Sequence, residues 1–207
     1  MNGGIDALSA AKIVPVVVLD RAEDAHALAD ALVAGGITCA EITLRTDAGL
    51  EAIHALRDRQ DILVGAGTVL NARDVELSVN AGARFIVSPG FSSAVIDAAA
   101  DLVTAIPGIA TASELQAAVS AGISAVKLFP AGLLGGLSAV SAMAAPFPGV
   151  RFMPSGGVSM TNVAEYVSHP AVFAVGGSWM VPADALADHD WSRVEALSRA
   201  TMEAISE

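Results

Sequence analysis

The sequence predicts an α/β fold in which helices cover a parallel β-sheet. Two observations predict it. Eight apolar runs of strand length are spread along the 207 residues, and alanine-rich stretches with helical spacing lie between them. Strands that are apolar along nearly their whole length are typical of parallel sheets, because helices cover both faces of such a sheet. The alternation therefore indicates repeated strand–helix units.

The predicted elements follow one another at regular intervals. Strands are expected at residues 13–19, 39–44, 62–69, 84–90, 103–109, 125–131, 151–157 and 173–179. Helices are expected between them at residues 22–33, 48–59, 72–80, 113–120 and 162–168, with a short helix before residue 13 and a last amphipathic helix at 191–206. About 19 to 26 residues separate the starts of successive strands, which leaves room for one right-handed crossover helix and for no inserted domain.

The number of units predicts the architecture. Eight strand–helix units in one domain, residues 1–207, are expected to close as a (β/α)₈ TIM barrel, at the compact end of the size range of that fold. An open doubly wound sheet is the alternative. A dinucleotide site in such a sheet would use a Gly-x-Gly-x-x-Gly turn after a strand, and the sequence has no such turn.

The composition narrows the class of partner. Eleven basic and 22 acidic residues leave a net charge of −11, which opposes nonspecific binding to nucleic acid or to an anionic membrane surface. A single cysteine, Cys39, cannot form an internal disulfide and suits a reducing compartment. No apolar run approaches the roughly 18 residues of a membrane helix. We expect a soluble cytoplasmic protein with a small-molecule substrate, no nucleic-acid partner and no membrane partner.

Lys127 is the first candidate catalytic residue. The function of a barrel enzyme lies at the carboxyl ends of its strands. The chain has two lysines; Lys12 precedes the first strand, whereas Lys127 interrupts the apolar segment 125–131 near the end of its strand. Burial disfavours the charged form of an amine and so exposes a nucleophile that can attack a ketone. The alternative is a lysine that pairs with a carboxylate in an interior polar layer.

The second strand contributes three polar side chains. Glu41, Thr43 and Arg45 share one face by the alternation of a strand. Glu41 and Arg45 would either form a buried ion pair, which is energetically unrewarding, or divide the chemistry, with Arg45 holding a substrate carboxylate and Glu41 moving protons. Thr68 ends the third strand after small residues that would let a ligand approach the backbone, and it could equally cap the helix that follows.

Two glycine pairs follow the last two strands. They belong to Ser155-Gly-Gly-Val158 and Gly176-Gly-Ser-Trp179, at the positions where barrels often bind phosphate through backbone N–H groups. We expect a phosphate site there, with the Ser178 hydroxyl as a further donor. A bound metal is not expected, because none of the four histidines lies at a strand end. Glu114 is explained by a helix capping box that begins at Thr111.

These residues belong to motifs that run through nearly the whole chain. The motifs are Val14-Pro-Val16, Glu41-Ile-Thr-Leu-Arg-Thr46, Gly65-Ala-Gly-Thr-Val-Leu-Asn71, Ser88-Pro-Gly90, Pro107-Gly-Ile109, Lys127-Leu-Phe-Pro-Ala131, Ser155-Gly-Gly-Val158 and Gly176-Gly-Ser-Trp-Met-Val-Pro-Ala-Asp184. In these motifs and their order the sequence resembles the bacterial 2-keto-3-deoxy-6-phosphogluconate and 4-hydroxy-2-oxoglutarate aldolases, a family of the Entner–Doudoroff pathway. The sequence departs from the family pattern at Gly132-Leu-Leu134.

The resemblance implies a class I aldolase that uses neither a metal nor a cofactor. It implies that Lys127 forms a Schiff base with pyruvate, that Glu41 is the general acid and base, and that Arg45 and Thr68 hold the pyruvyl carboxylate. It further implies that Phe129 lies beside the imine and that Gly156, Gly157 and Ser178 hold the phosphate. The glycine pair after the last strand adds Gly176 and Gly177 to the expected phosphate site. A homotrimer is the assembly that it implies.

Two other classes of function remain open from the residues alone. One is a phosphate-binding barrel isomerase or epimerase in which Glu41 transfers protons and Lys127 acts only as a cation. The other is a barrel scaffold without turnover. Both predict that pyruvate and borohydride form no adduct with Lys127, since only an imine is reduced to a stable product.

Overall fold

The computed structural model describes residues 3–206 and contains nine short strands. The strands are β1 (Ile13–Val17), β2 (Cys39–Thr43), β3 (Leu63–Gly67), β4 (Phe85–Val87), β5 (Thr104–Ile106), β6 (Gly108–Ile109), β7 (Ala125–Leu128), β8 (Arg151–Pro154) and β9 (Val175–Gly177). Each strand begins within one of the predicted apolar runs, and most strands end before that run ends. The residues left over at the carboxyl ends form the loops that carry the candidate site.

Helices precede, separate and follow these strands. They are α1 (Gly3–Ala11), α2 (Ala25–Ala34), α3 (Ala48–Leu56), α4 (Ala72–Ala81), α5 (Ser93–Ala99), α6 (Ala112–Ser120), α7 (Leu137–Ala144), α8 (Val163–Ser168), α9 (Ala183–Ala187) and α10 (Trp191–Ala204). The predicted helix at 22–33 begins with a separate 3₁₀ turn, Ala22–Asp24. No helix within residues 3–206 is long and apolar enough to cross a membrane.

The strands pair in parallel in two sheets. The larger has the order β5-β4-β3-β2-β1-β9, and the smaller has the order β6-β7-β8. The predicted α/β fold with a parallel sheet is therefore confirmed. The predicted fifth strand, residues 103–109, is wrong as a single strand, because it passes from one sheet to the other at Pro107, which has no N–H to donate to a neighbouring strand. The two sheets are also connected by isolated β-bridges between residues in or near β8 and β9. These bridges join Phe152 to Val172 and Ser155 to Gly176.

Apolar side chains fill the space below the site. Leu8 of α1 is fully buried in one cluster with Val14, Phe85, Met153 and Phe173, which come from four different strand segments. The helix before residue 13 therefore packs against the strand interior, as the sequence predicts. A second local prediction is also met: Thr111 and Glu114 form a capping box at the start of α6, and hydrogen bonds from backbone N–H groups lower the pKa of Glu114.

Candidate active site

A cavity of about 360 Å³ lies where the carboxyl ends of the strands meet. Its lining comes from seven of the nine strands or from the loops that follow them: Val16, Glu41, Arg45, Thr68, Pro89, Lys127, Phe129, Ser155, Gly156, Gly157, Val158, Gly177 and Ser178. Nine of the ten site residues predicted from the sequence are in this lining. The tenth, Gly176, lies behind it, paired with Ser155 in a β-bridge.

Lys127 and Glu41 meet in the wall of this cavity. The Lys127 Nζ atom lies 3.2 Å from Glu41 Oε1 and 3.4 Å from Oε2. Glu41 is only 1% exposed and Lys127 only 6%. The two residues come from β2 and β7, which belong to different sheets. The structure therefore puts a primary amine and a carboxylate in contact at the edge of a cavity that can hold a ligand, and both groups are almost completely buried.

Arg45 does not form the buried ion pair with Glu41 that the alternation of β2 permits. Its side chain is exposed at the cavity, and it makes no ion pair with any residue in the described part of the chain. A guanidinium with no protein carboxylate beside it can bind the carboxylate or phosphate of a ligand through its planar fork.

Thr68 lies at the cavity in a conformation that a β-branched residue rarely adopts. Its φ angle is +59°, in the left-handed region. The alternative role as a helix cap is wrong, since α4 is capped by the Asn71 side chain, which accepts a hydrogen bond from the backbone N–H of Asp74. The unusual backbone of Thr68 is thus part of the cavity wall and not of the helix start.

Phe129 covers one side of the lysine. The centre of its ring lies 5.5 Å from Lys127 Nζ, and 38% of the residue is exposed. Gly156 has a φ angle of +81°, and a Cβ atom there would lie 3.2 Å from the Phe129 ring. Glycine at 156 therefore permits both the backbone turn after β8 and the position of the aromatic ring.

The glycine pairs serve packing as well as the cavity. Gly157 contacts the loop after β7 so closely that a Cβ on it would lie 2.8 Å from the Gly132 α-carbon. A Cβ on Gly176 would lie 2.9 Å from Ser155 Oγ, and one on Gly177 would overlap the indole ring of Trp179. The missing side chains at residues 176 and 177 therefore make room for Ser155 and Trp179, and not for a phosphate as the glycine pair suggests.

Four lining residues are absent from the predicted site. They are Val16, Pro89, Ser155 and Val158. Each lies in one of the motifs already quoted, so the signal was present, but an apolar or small residue carries no chemistry that singles it out. Within residues 3–206, no group of three His, Cys, Asp or Glu side chains is arranged to hold a metal ion.

The arrangement of the site can be compared with known proteins. The sequence model of the KDPG and KHG aldolases, where KDPG is 2-keto-3-deoxy-6-phosphogluconate and KHG is 4-hydroxy-2-oxoglutarate, matches residues 5–197. The chain belongs to this family. The resemblance inferred from the motifs is therefore confirmed, and so is the assignment to the aldolases, which are lyases.

Relatives of this KDPG/KHG aldolase family member match it along nearly its whole length. The 2-dehydro-3-deoxy-phosphogluconate aldolase of Treponema pallidum is 50% identical over 97% of this chain and 96% of its own. The KHG/KDPG aldolase of Escherichia coli K12 is 42% identical over 95% of this chain and 93% of its own.

A solved structure of a family member has a covalent intermediate. The KDPG aldolase of Legionella pneumophila, with pyruvate captured as a carbinolamine, is 40% identical, covers 96% of this chain and 97% of its own, and superposes with a TM-score of 0.92. The KDPG aldolase of Zymomonas mobilis with 3-phosphoglycerate is 38% identical, covers 97% of this chain and 95% of its own, and has a TM-score of 0.90.

Proposed function

We propose that this member of the family is a class I aldolase that cleaves 2-dehydro-3-deoxy-6-phosphogluconate reversibly to pyruvate and D-glyceraldehyde 3-phosphate. The contact between Lys127 and Glu41 in the cavity wall carries the proposal, because Schiff-base catalysis needs an amine and a group that moves protons beside it. The carbinolamine captured in the Legionella pneumophila relative supports the same chemistry.

The reaction follows from this contact. The Lys127 amine attacks the C2 ketone of the substrate, and loss of water from the carbinolamine leaves a cationic imine. The Glu41 carboxylate takes a proton from the Lys127 ammonium group, which frees the amine for this attack. Glu41 then delivers that proton to the hydroxyl that leaves as water, and as a carboxylate again it removes the proton from the C4 hydroxyl. The C3–C4 bond breaks, its electron pair moves into the imine as an enamine, and the aldehyde leaves. Protonation at C3 and hydrolysis of the imine then release pyruvate and the free amine.

The other lining residues hold the two ends of the substrate. Arg45 and Thr68 bind the carboxylate next to the reacting ketone, and Phe129 packs beside the imine. The phosphate lies at the loops after β8 and β9, against Gly156, Gly157 and Gly177 of the cavity lining, with the Ser178 hydroxyl as a donor. Gly176 lies outside this lining and supports the loop through its bridge to Ser155. The free guanidinium of Arg45 supports the first assignment, and the glycine-rich loops, whose backbone N–H groups can bind an anion, support the second. The structure of the Zymomonas mobilis relative with 3-phosphoglycerate supports a phosphorylated ligand, without locating it.

A second substrate of the same reaction is 4-hydroxy-2-oxoglutarate, which would be cleaved to pyruvate and glyoxylate. The name of the Escherichia coli relative, KHG/KDPG aldolase, supports it. This substrate lacks the phosphate and keeps the pyruvyl half, so it depends on Lys127, Glu41 and Arg45 but not on the glycine loops.

Borohydride reduction tests the covalent step. Incubation with pyruvate and borohydride should add one pyruvyl-derived group, which peptide mapping should locate at Lys127. Lys12 is the internal control, since it is the other lysine of the chain and is exposed outside the cavity. An adduct at Lys12, or no adduct, would contradict the assignment of Lys127 as the Schiff-base lysine. It would favour an isomerase or epimerase in which Lys127 acts only as a cation.

We infer further that the two sheets close into a single-domain (β/α)₈ barrel. Support comes from β5 and β6, which are separated by Pro107 alone, and from the bridge of Ser155 to Gly176 between β8 and β9.

A cytoplasmic homotrimer is the proposed assembly. The apolar composition supports a buried interface between subunits. A designed cage made by fusing symmetric oligomeric domains is 28% identical, covers 94% of this chain and 73% of its own, and supports an oligomer. Light scattering should give three times the mass of the 20.8 kDa chain.

A further inference from the structure

The inner face of β3 has no side chains in its upper part. Gly65 and Gly67 point to the same face by the alternation of the strand, and side chains of the two flanking strands occupy the space above them. Phe85 of β4 lies over Gly65, where a Cβ would come within 2.5 Å of its ring carbons. Glu41 of β2 lies over Gly67. The missing side chain of Gly65 thus makes room for the apolar ring of Phe85, and the missing side chain of Gly67 makes room for Glu41.

The register between β2 and β3 explains why Glu41 reaches Gly67. Glu41 pairs with Gly65, and Thr43 pairs with Gly67. The place over Gly65 is filled by Phe85, which is fully buried. The Glu41 side chain therefore leans along the strand toward the carboxyl end, over the α-carbon of Gly67, and there its carboxylate contacts Lys127 Nζ.

The contact with Gly67 is too close for any other residue type. A Cβ atom at position 67 would lie 2.6 Å from Glu41 Cγ and 2.8 Å from Cδ, and it would overlap Oε1. Real Cβ atoms essentially never approach other heavy atoms within 3.0 Å, so the carboxylate would have to move. Gly67 does not have a positive φ angle, so its backbone also suits an L-residue. Space for the carboxylate is what requires glycine here.

We propose that Gly67 is a positioning residue for the aldol reaction: its missing side chain leaves the place from which the Glu41 carboxylate contacts Lys127. This inference rests on the proposed function of Glu41. The three nearest atoms to an added Cβ all belong to the Glu41 side chain and none to the backbone, so alanine at position 67 should displace this side chain before it disturbs the strand. Glu41 is almost completely buried, which leaves its displaced carboxylate few other places to lie.

The Gly67→Ala variant gives the first measurement. Its kcat should fall by about 100-fold with a smaller change in KM, since a displacement of about 1 Å in a catalytic group costs that order of rate. Gly149→Ala is the matched control, because a Cβ at position 149 meets nothing within 4 Å and the residue lies outside the cavity. The control should keep the kcat of the parent enzyme. A Gly67→Ala enzyme with the parent kcat overturns the inference.

A double-mutant cycle separates this role from a general structural one. In the Glu41→Gln background, Gly67→Ala should change kcat by less than about threefold, because its effect passes through the carboxylate. A penalty of about 100-fold in both backgrounds overturns the inference and leaves the role of Glu41 intact. If Glu41→Gln alone keeps the parent kcat, the proposed function of Glu41 fails, and the inference fails with it.

If Gly67→Ala does not fold, its kcat cannot be measured, and thermal unfolding of a double variant then tests the inference. The added methyl group meets Glu41, so removal of that side chain in Glu41→Ala/Gly67→Ala should restore folding to the level of Glu41→Ala alone. A double variant that stays unfolded while Glu41→Ala folds overturns the inference, since the methyl group would then meet something other than the carboxylate.

Discussion

The indole ring of Trp179 lies against the α-carbon of Gly177, in the space where a side chain at residue 177 would be. Its Nε1 atom donates a hydrogen bond of 2.9 Å to Thr201 Oγ1 in α10, and Thr201 donates in turn to the Leu197 carbonyl at 2.8 Å. The last helix is thereby tied to the loop after β9 through Trp179, the residue that follows Ser178. A larger residue at 177 would displace the indole before it disturbed a ligand, so the phosphate site is better tested at Ser178.

Ser178→Ala should raise KM for the phosphorylated substrate by roughly tenfold or more, because a hydrogen bond to a charged group is worth about 1.5–3 kcal/mol. Steady-state kinetics with 4-hydroxy-2-oxoglutarate is the control, since this substrate has no phosphate and its KM should not change. Ser178 is exposed, so the substitution should leave the free energy of unfolding nearly unchanged. An equal rise of KM for both substrates would place the phosphate elsewhere.

Lys127→Met should abolish turnover and also destabilise the protein. It leaves the Glu41 carboxylate buried without its partner, and breaking a buried pair on one side costs about 3–5 kcal/mol. The double variant Lys127→Met/Glu41→Gln removes both charges and should recover most of that loss. Urea denaturation of the two variants and the parent measures the difference. A double variant no more stable than Lys127→Met would mean that the carboxylate finds another partner.

Thr68→Gly should separate stability from substrate binding. A residue held in an unfavourable backbone region costs about 1–3 kcal/mol, and glycine adopts a φ angle of +59° without that cost. After the larger entropy of an unfolded chain with glycine is allowed for, we expect the free energy of unfolding to rise by about 1 kcal/mol. KM should rise for both substrates, because the side chain that faces the pyruvyl half is gone. Lower stability with an unchanged KM would contradict both parts.

Cys39 should make the protein sensitive to alkaline pH. Burial, and secondarily the charge of Glu41, raise the pKa of the Cys39 thiol from 9.0 to about 12. The unfolded chain therefore loses this proton at lower pH than the native protein does, and the contribution to stability that is complete below about pH 9 declines as the pH rises toward about 12. Cys39→Ala should lose less of its free energy of unfolding than the parent between about pH 8 and about pH 10.5.

The difference between parent and Cys39→Ala isolates the thiol, because the other titrating groups are common to both proteins. Urea denaturation at both pH values gives the four free energies of unfolding. Equal losses in the two proteins would mean that the Cys39 thiol ionises as readily in the native state as in the unfolded one.

The sequence by itself determined the fold class and most of the candidate site. Apolar runs of strand length that alternate with helical stretches predict a parallel sheet, because such strands are buried on both faces. The carboxyl ends of parallel strands meet at one edge, so Glu41, Arg45, Thr68 and Lys127 could be assigned to one site although up to 86 residues separate them. The periodicity of a strand depends on residues that are close together in the chain, and the order of the motifs is the order of the chain itself. Both can therefore be read from a sequence.

The tertiary structure decided which of these residues touch. Alternation along β2 predicts that Glu41 and Arg45 share a face, but the partner of Glu41 is Lys127, from the other sheet. The same holds for the glycines: Gly67 makes room for a carboxylate and Gly177 for an indole ring, whereas the sequence indicates only that each lacks a side chain. Contacts between distant segments depend on register, curvature and packing of the whole sheet, and none of these is a property of the segment that contains the residue.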